Sequence, residues 1–306
     1  MTRTDECITG VVVPLLAPVT ADEQLDEAAF QSLIRRCING GANALLAGGS
    51  AGMGPLWPLA QWERMMEVAH DAVAGAVPLL GGAIETSTRR TIERIRVLER
   101  TGIAHVVVTP TFYLKLERDE EFLAHFGACR EATDLNLIAY NIPSCTQASI
   151  PLSVLETMGS RGWMRGLKES SGDRAYFSHV MERFAGTNIA VLQGHEPYMA
   201  QGLRDGAAGV VPVCANYAPE VYRALVDAVA AGNDARAEAL QDEIMKIRAT
   251  LLLGDKNWVS GAAYGLHTLG IGSGAVLRPL QTLGAAERGR IERMTAARMR
   301  SGEQTP

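Results

Sequence analysis

Three clusters of residues in this 306-residue chain carry types and spacings suited to covalent chemistry on a carbonyl compound. The first is Met164-Arg165-Gly166-Leu167-Lys168-Glu169-Ser170-Ser171-Gly172-Asp173, an apolar approach, a lysine and a small polar turn. An ammonium group is costly to bury without a partner. At the end of a buried strand Lys168 would therefore hold a lowered pKa and some free amine near neutrality, which an imine-forming nucleophile needs. A lysine just past the strand end, pointing into solvent, reads the same in these ten residues. The second cluster, Tyr140-Asn141-Ile142-Pro143, sets a phenol at another strand end, either to move protons at a carbinolamine or as a core aromatic with a satisfied hydroxyl. The third, Gly48-Gly49-Ser50-Ala51-Gly52, is either an anion nest of backbone N–H groups suited to a carboxylate or an ordinary strand-to-helix turn.

The elements that must position these residues follow a β-α rhythm. Near-continuous apolar runs recur at Ile8–Val19, Ala42–Gly49, Pro78–Ile84, Ala104–Thr111, Asn136–Pro143, Met164–Ser170, Ile189–Glu196 and Ala207–Cys214. Continuous rather than alternating apolar character marks parallel strands covered by helices. Helical patterns at Asp26–Ile38, Ala60–Val73, Arg89–Arg100, Glu117–Thr133, Pro151–Met158, Arg174–Phe184 and Pro197–Leu203 separate them. The first run is followed by Pro14-Leu15-Leu16-Ala17-Pro18 and no Gly-x-Gly-x-x-Gly, so a dinucleotide-binding open sheet loses its main sign. The expectation is an α/β fold, a (β/α)8 TIM barrel over residues 1–219 carrying the active site. Helices expected at Glu220–Ala231, Ala235–Leu253, Asn257–Gly270 and about Arg278 to Arg300 form a C-terminal extension over 220–306, packed on the barrel with no Gly/Ser linker.

In such a barrel the C-terminal strand ends face one mouth. That collects Ser50 and Ala51, Thr111 to Tyr113, Tyr140, Lys168, Gly194 to Glu196 and Pro212 to Asn216. The convergence favours the nucleophile reading of Lys168 over the solvated one. Trp57 and Trp62 either wall the pocket or anchor a helix in the core.

A net charge of -5 supplies no basic field for nucleic acid or anionic membrane. Cys7, Cys37, Cys129, Cys145 and Cys214 are odd in number and lack a CxxC pair, which argues against disulfides and a zinc cluster. The six histidines show no metal-ligand spacing. No metal and no cofactor is expected. The polar start from Met1 to Cys7 and the lack of a long apolar run predict neither signal peptide nor membrane span, and a cytoplasmic protein.

Gly49-Ser50-Ala51-Gly52, Tyr140-Asn141-Ile142-Pro143 and Gly166-Leu167-Lys168-Glu169-Ser170-Ser171-Gly172-Asp173 together resemble the dihydrodipicolinate synthase / N-acetylneuraminate lyase family. Gly194-His195-Glu196, Gly209 to Asn216 and Leu269-Gly270-Ile271-Gly272-Ser273-Gly274 are similar as well, so the likeness runs from about Ile8 to Leu283. It implies a Schiff base between Lys168 and pyruvate or a related 2-keto acid, with Tyr140 handling protons. Gly49, Ser50 and Ala51 would hold the keto-acid carboxylate, and Ser170, His195, Glu196 and Val213 would contact the rest of the substrate. It also implies a homo-oligomer, a dimer of dimers. The departures are Ala51 and Met53 in the turn, where the family carries a second hydroxyl and an acid. Phe112 or Tyr113 stands where a subunit-crossing tyrosine completes a proton relay. Cys145 stands where lysine-pathway synthases carry a carboxylate-gripping arginine, a contact no thiol makes.

The resulting expectation is a lyase of the aldolase type, making or breaking a C–C bond of a 2-keto(-3-deoxy) acid with pyruvate as product or donor. Three alternatives stand beside it: a keto-deoxy sugar-acid dehydratase using the same lysine, a dihydrodipicolinate synthase, which Cys145 disfavours, and a non-catalytic binder of a keto acid.

Overall fold

The structure is a computed structural model that describes residues 7–253 and 256–301. Residues 1–6 of the polar N-terminal segment and 302–306 of the C-terminal extension lie outside the described residues. Eight parallel strands close into a barrel in chain order: β1 (Gly10–Pro14), β2 (Ala44–Ala47), β3 (Leu79–Gly82), β4 (His105–Val108), β5 (Asn136–Asn141), β6 (Gly166–Glu169), β7 (Ala190–Gln193) and β8 (Gly209–Val210). The seam pairs Gly10 with Gly209 and Val11 with Val210. With its flanking helices and C-terminal helices this is a TIM barrel.

The paired strands are shorter than the apolar runs that announce them, and β8 keeps two residues of an eight-residue run. The remainder stays apolar because it folds over the barrel mouth and remains covered. Val211 and Cys214 are 2% and 1% exposed, although Val213–Asn216 is a 3-10 turn.

Side chains alternate across each strand, so one set fills the barrel and the other packs under the helices. Val12, Leu46, Leu80, Val107, Ile138, Tyr140 and Leu192 form the inner cluster, while Val13, Leu45, Val106, Leu137, Ala139 and Leu167 belong to the outer one. In β5 and β6, Ala139 pairs with Leu167 and Tyr140 with Lys168. Leu167 faces the helices, so Lys168 faces the barrel axis beside Tyr140, and a one-residue slip would turn both away.

The outer ring comprises α1 (Glu27–Asn39), α2 (Leu59–Val73), α3 (Thr88–Thr101), α4 (Asp119–Glu131), α5 (Pro143–Thr146), α6 (Leu152–Ser160), α7 (Arg174–Phe184), α8 (Met199–Arg204) and α9 (Pro219–Ala230). Caps fix several starts: Asp26 accepts from Ala29 N–H, and Asp173 accepts from Ala175 and Tyr176 N–H. The four-residue α5 interrupts the loop after β5, where no helical period announces it. α9, placed by sequence after the barrel's end at 219, packs on β1 and takes the eighth place in the ring.

The remaining helices are α10 (Asp234–Leu251), α11 (Trp258–Thr268) and α12 (Ala285–Ser301). α12 begins seven residues later than its polar pattern suggests, since Pro279 has no N–H to continue a helix and Gly284 N–H is taken by Glu287. Ser273 Oγ donates to the Val19 carbonyl at 2.8 Å, tying the glycine-rich segment after α11 to the loop before α1. Among the described residues no helix is long and apolar enough to cross a membrane.

One buried histidine ties the ring to acid stability. His125 on α4 is 3% exposed, with Nε2 at 3.0 Å from the Thr109 carbonyl and Nδ1 at 3.0 Å from Thr88 Oγ1. Burial lowers its pKa from 6.5 to about 4. The unfolded chain therefore binds this proton before the fold does, and stability falls as pH drops from about 6.5 to about 4. The full drop is about 3 kcal/mol. Denaturant midpoints between pH 7 and pH 4.5 should show the decline, and His125→Gln, less stable at pH 7, should flatten it.

Candidate active site

Lys168 and Tyr140 stand side by side within the barrel mouth, 5% and 3% exposed. The Lys168 amine lies 3.9 Å from the centroid of the Tyr140 ring. Burial lowers the amine from its ordinary 10.5 to about 7, so near neutrality a large fraction is free base. The same burial raises the Tyr140 phenol well above 10, which keeps it protonated and able to donate. The hydroxyls of Ser50 and Ser170 stand beside the phenol and oppose part of that rise, while Ser170 Oγ itself has no hydrogen bond of good geometry.

These groups share a cavity of about 450 Å³ at the mouth. Ser50 and Ala51 line one wall, Ile142, Ser144 and Cys145 a second, and Gly194, His195, Glu196 and Val213 a third. Lys168, Tyr140, Ser50, Ala51, Ser170, His195, Glu196 and Val213 thus share one cavity, whereas Gly49, next to Ser50 in the chain, does not line it. A cavity of similar size, about 460 Å³, opens beside Glu169, α7 and α8, but neither Lys168 nor Tyr140 lines it.

Local sequence explains the placement. Asn141, next in β5 after Tyr140, donates to Glu169 Oε1 at 3.1 Å and accepts from Ile150 N–H at 3.0 Å. Glu169 Oε1 also accepts from Ser171 N–H at 2.7 Å. The residues adjoining the pair thus lock the ends of β5 and β6 together from the outer face. In the β2 turn, Met53 N–H donates to the Ser50 carbonyl and Gly54 N–H to the Gly49 carbonyl, closing a tight loop. Gly48 at φ 66° supplies the left-handed step that starts it.

Glu196 is only partly a cavity group. Its Oε1 accepts from Cys214 N–H at 2.8 Å and from the Tyr222 hydroxyl at 3.1 Å, and Arg248 Nε lies 3.6 Å from Oε2. Burial pushes its pKa up against these contacts. Its main contacts are therefore with the protein, joining the mouth to α9 and α10, rather than with open cavity.

Phe112 and Tyr113 do not line the cavity of this chain. Phe112 is half-buried against the inner cluster, whereas Tyr113 adopts φ 77° and is 85% exposed, followed by Leu114 at 77%. The positive φ turns the backbone so that Tyr113 leaves its own barrel mouth. Trp57 and Trp62, 2% and 0% exposed, are core residues and not pocket walls.

Arg248, Leu252 and Trp258 of the C-terminal helices also line the cavity, as does Pro14. No motif marks them: the segment Ile247 to Trp258 reads as an ordinary helix end. Among the described residues no cluster of three or more His, Cys, Asp or Glu could hold a metal ion.

Comparison with known proteins places the chain in a family. Residues 7–298 match the sequence profile of the dihydrodipicolinate synthetase family. A 4-hydroxy-tetrahydrodipicolinate synthase of Exiguobacterium sibiricum is 31% identical over 276 residues, 89% of this chain and 91% of that protein. An uncharacterized DapA-like lyase of Halobacterium salinarum is 29% identical over 283 residues, 92% of this chain and 91% of its own. Among solved structures, the dihydrodipicolinate synthase of Bacteroides thetaiotaomicron superposes with a TM-score of 0.89 at 26% identity, covering 94% of this chain and 98% of its own. YagE of E. coli K12, solved in complex with pyruvate, shares the fold with a TM-score of 0.90 at 24% identity, covering 95% and 99%. With the profile spanning nearly the whole chain, the protein belongs to the dihydrodipicolinate synthetase family of aldolase-type lyases.

Proposed function

We propose that this lyase makes or breaks a C–C bond of a 2-keto(-3-deoxy) acid through a Schiff base on Lys168, with pyruvate as product or donor. The observation that carries the proposal is a buried amine, lowered to about 7, packed on a phenol and open to a cavity with a serine turn opposite. In the cleavage direction the amine adds to the substrate's keto carbon and water leaves, giving a protonated imine. Loss of the proton from the C4 hydroxyl breaks the C3–C4 bond, and its electron pair moves into the imine as an enamine while the aldehyde departs. Protonation at C3 and addition of water then release pyruvate and the free amine. Tyr140 donates and recovers the proton at the carbinolamine oxygen, and the Ser50–Ala51 turn holds the carboxylate.

Cys145 lines the cavity where a lysine-pathway synthase would present a guanidinium fork, so the second substrate of that reaction lacks its expected grip. On that ground we rank a lysine-pathway synthase below the other readings. Tyr113 and Leu114 leave large apolar surfaces in water, which supports a homo-oligomer that covers them.

Incubation with pyruvate and borohydride, followed by peptide mass spectrometry, should find the reduced adduct on Lys168. An adduct on another lysine, or none, refutes the mechanism. A panel of 2-keto-3-deoxy acids then separates C–C cleavage, which releases pyruvate, from dehydration, which does not.

A further inference from the structure

Behind the Ser50 turn a buried ion pair grips the loop without reaching the cavity. Arg94 on α3 is 1% exposed, and Glu85, three residues past the end of β3, is 5% exposed. Arg94 Nε donates to Glu85 Oε1 at 2.7 Å, Nη1 to the Gly54 carbonyl at 3.0 Å and Nη2 to the Trp57 carbonyl at 3.3 Å. The guanidinium lies 4.7 Å from the Trp62 ring centroid. Glu85 Oε2 is held by Arg90 Nε at 2.8 Å. One guanidinium therefore joins the end of β3 to two carbonyls of the segment that follows Ser50 and Ala51.

The same segment is closed from within. Trp57 Nε1–H donates to the Gly52 carbonyl at 2.8 Å. A methyl on Gly54 would stand 1.9 Å from the Gly48 carbonyl oxygen, and one on Gly82 2.6 Å from that same atom. The back of the loop has no slack, while its Ser50–Ala51 edge opens on the cavity. A buried ion pair is costly to desolvate, and an apolar contact would hold α3 to the barrel as well. What an apolar contact lacks is the pair of directed N–H donors that fix the two loop carbonyls.

We infer that Glu85 and Arg94 are positioning residues for the carboxylate-holding turn, setting the Ser50 and Ala51 N–H groups without touching substrate. The inference rests on the Schiff-base reading of the site. A loosening of well under an ångström at such a turn weakens what it binds. Lys168, across the mouth on β6, is left as it was.

The test compares pyruvate with pyruvamide, its neutral amide, as ketones for borohydride labelling of Lys168. In Arg94→Lys the half-labelling concentration of pyruvate should rise at least about tenfold, with that of pyruvamide within about twofold of wild type. Equal shifts for both ketones would show a general disturbance and overturn the assignment, as would an unchanged pyruvate value. Glu85→Gln keeps the shape and one acceptor, and secures the test should Arg94→Lys not fold. It should raise the pyruvate value alone, and an unchanged pyruvate-to-pyruvamide ratio overturns the assignment equally. Wild-type protein unlabelled at Lys168 by either ketone would instead remove the Schiff-base reading beneath it.

Discussion

Lys168→Ala should lower kcat/KM by about four orders of magnitude or more, about 5 kcal/mol of transition-state stabilisation. No neighbour can replace the amine. The chain's other lysines, Lys115, Lys246 and Lys256, are exposed and do not line the cavity. Lys168→Arg separates nucleophile from charge, since a guanidinium keeps the cation and does not form the imine. Both variants should be inactive, and Lys168→Ala should not label with pyruvate and borohydride. Full turnover by Lys168→Ala would end the proposed mechanism.

The same residue sets the pH profile. Burial holds the folded amine at about 7, whereas in the unfolded chain it titrates near 10.5. For catalysis, kcat/KM should climb tenfold per pH unit below about 7 and level off above it, as the free amine appears. For stability, the unfolded chain keeps its proton between about 7 and 10.5 while the fold releases it. Stability is therefore lost as pH falls from 10.5 to 7 and is flat below. Lys168→Met, which removes the buried amine, should accordingly be a few kcal/mol more stable than wild type at pH 6. Chemical denaturation at pH 6 and pH 10 reads the difference directly, and an equal gap at both pH values would mean the amine is not desolvated.

The fold was legible because eight apolar runs and their intervening helices obey one rhythm, and a barrel has few ways to arrange them. Lys168, Tyr140 and Ser50 were legible because each lies close to the C-terminal end of a strand, and barrel geometry sends all such ends to one mouth. Arg248, Leu252 and Trp258 were not, since the angle at which α10 and α11 return over the mouth depends on packing between helices, which no local pattern encodes. Arg94 was hidden differently. In Arg89-Arg90-Thr91-Ile92-Glu93-Arg94 it is one arginine among three, and nothing in the run sets it apart from the exposed Arg89 and Arg90. Burial against Trp62 and a glutamate nine residues earlier separates it from its exposed neighbours. Glu196 was legible only in part. A carboxylate at a strand end suggests a substrate contact, and it does line the cavity, but Cys214, Tyr222 and Arg248 also converge on it from the turn after β8, from α9 and from α10.

Tyr140→Phe should lower kcat by about 10² to 10³, the range expected for removing one positioned proton donor. Phenylalanine keeps the ring, so the amine retains its apolar wall at 3.9 Å from the centroid and its lowered pKa. The pH at which activity rises should therefore stay near 7 while its ceiling drops. Only the phenol oxygen is lost, and its proton is the one that burial prevents from leaving. A phenol that stays protonated donates to the carbinolamine oxygen as water departs, and the oxygen it uncovers takes the proton back when water returns. Without it, imine formation with pyruvate becomes slow but still reaches completion, so borohydride labelling of Tyr140→Phe should be delayed rather than absent. A variant with wild-type labelling rate and wild-type kcat would show that the phenol serves only as a wall. A variant that never labels would show instead that the amine depends on the hydroxyl for its placement.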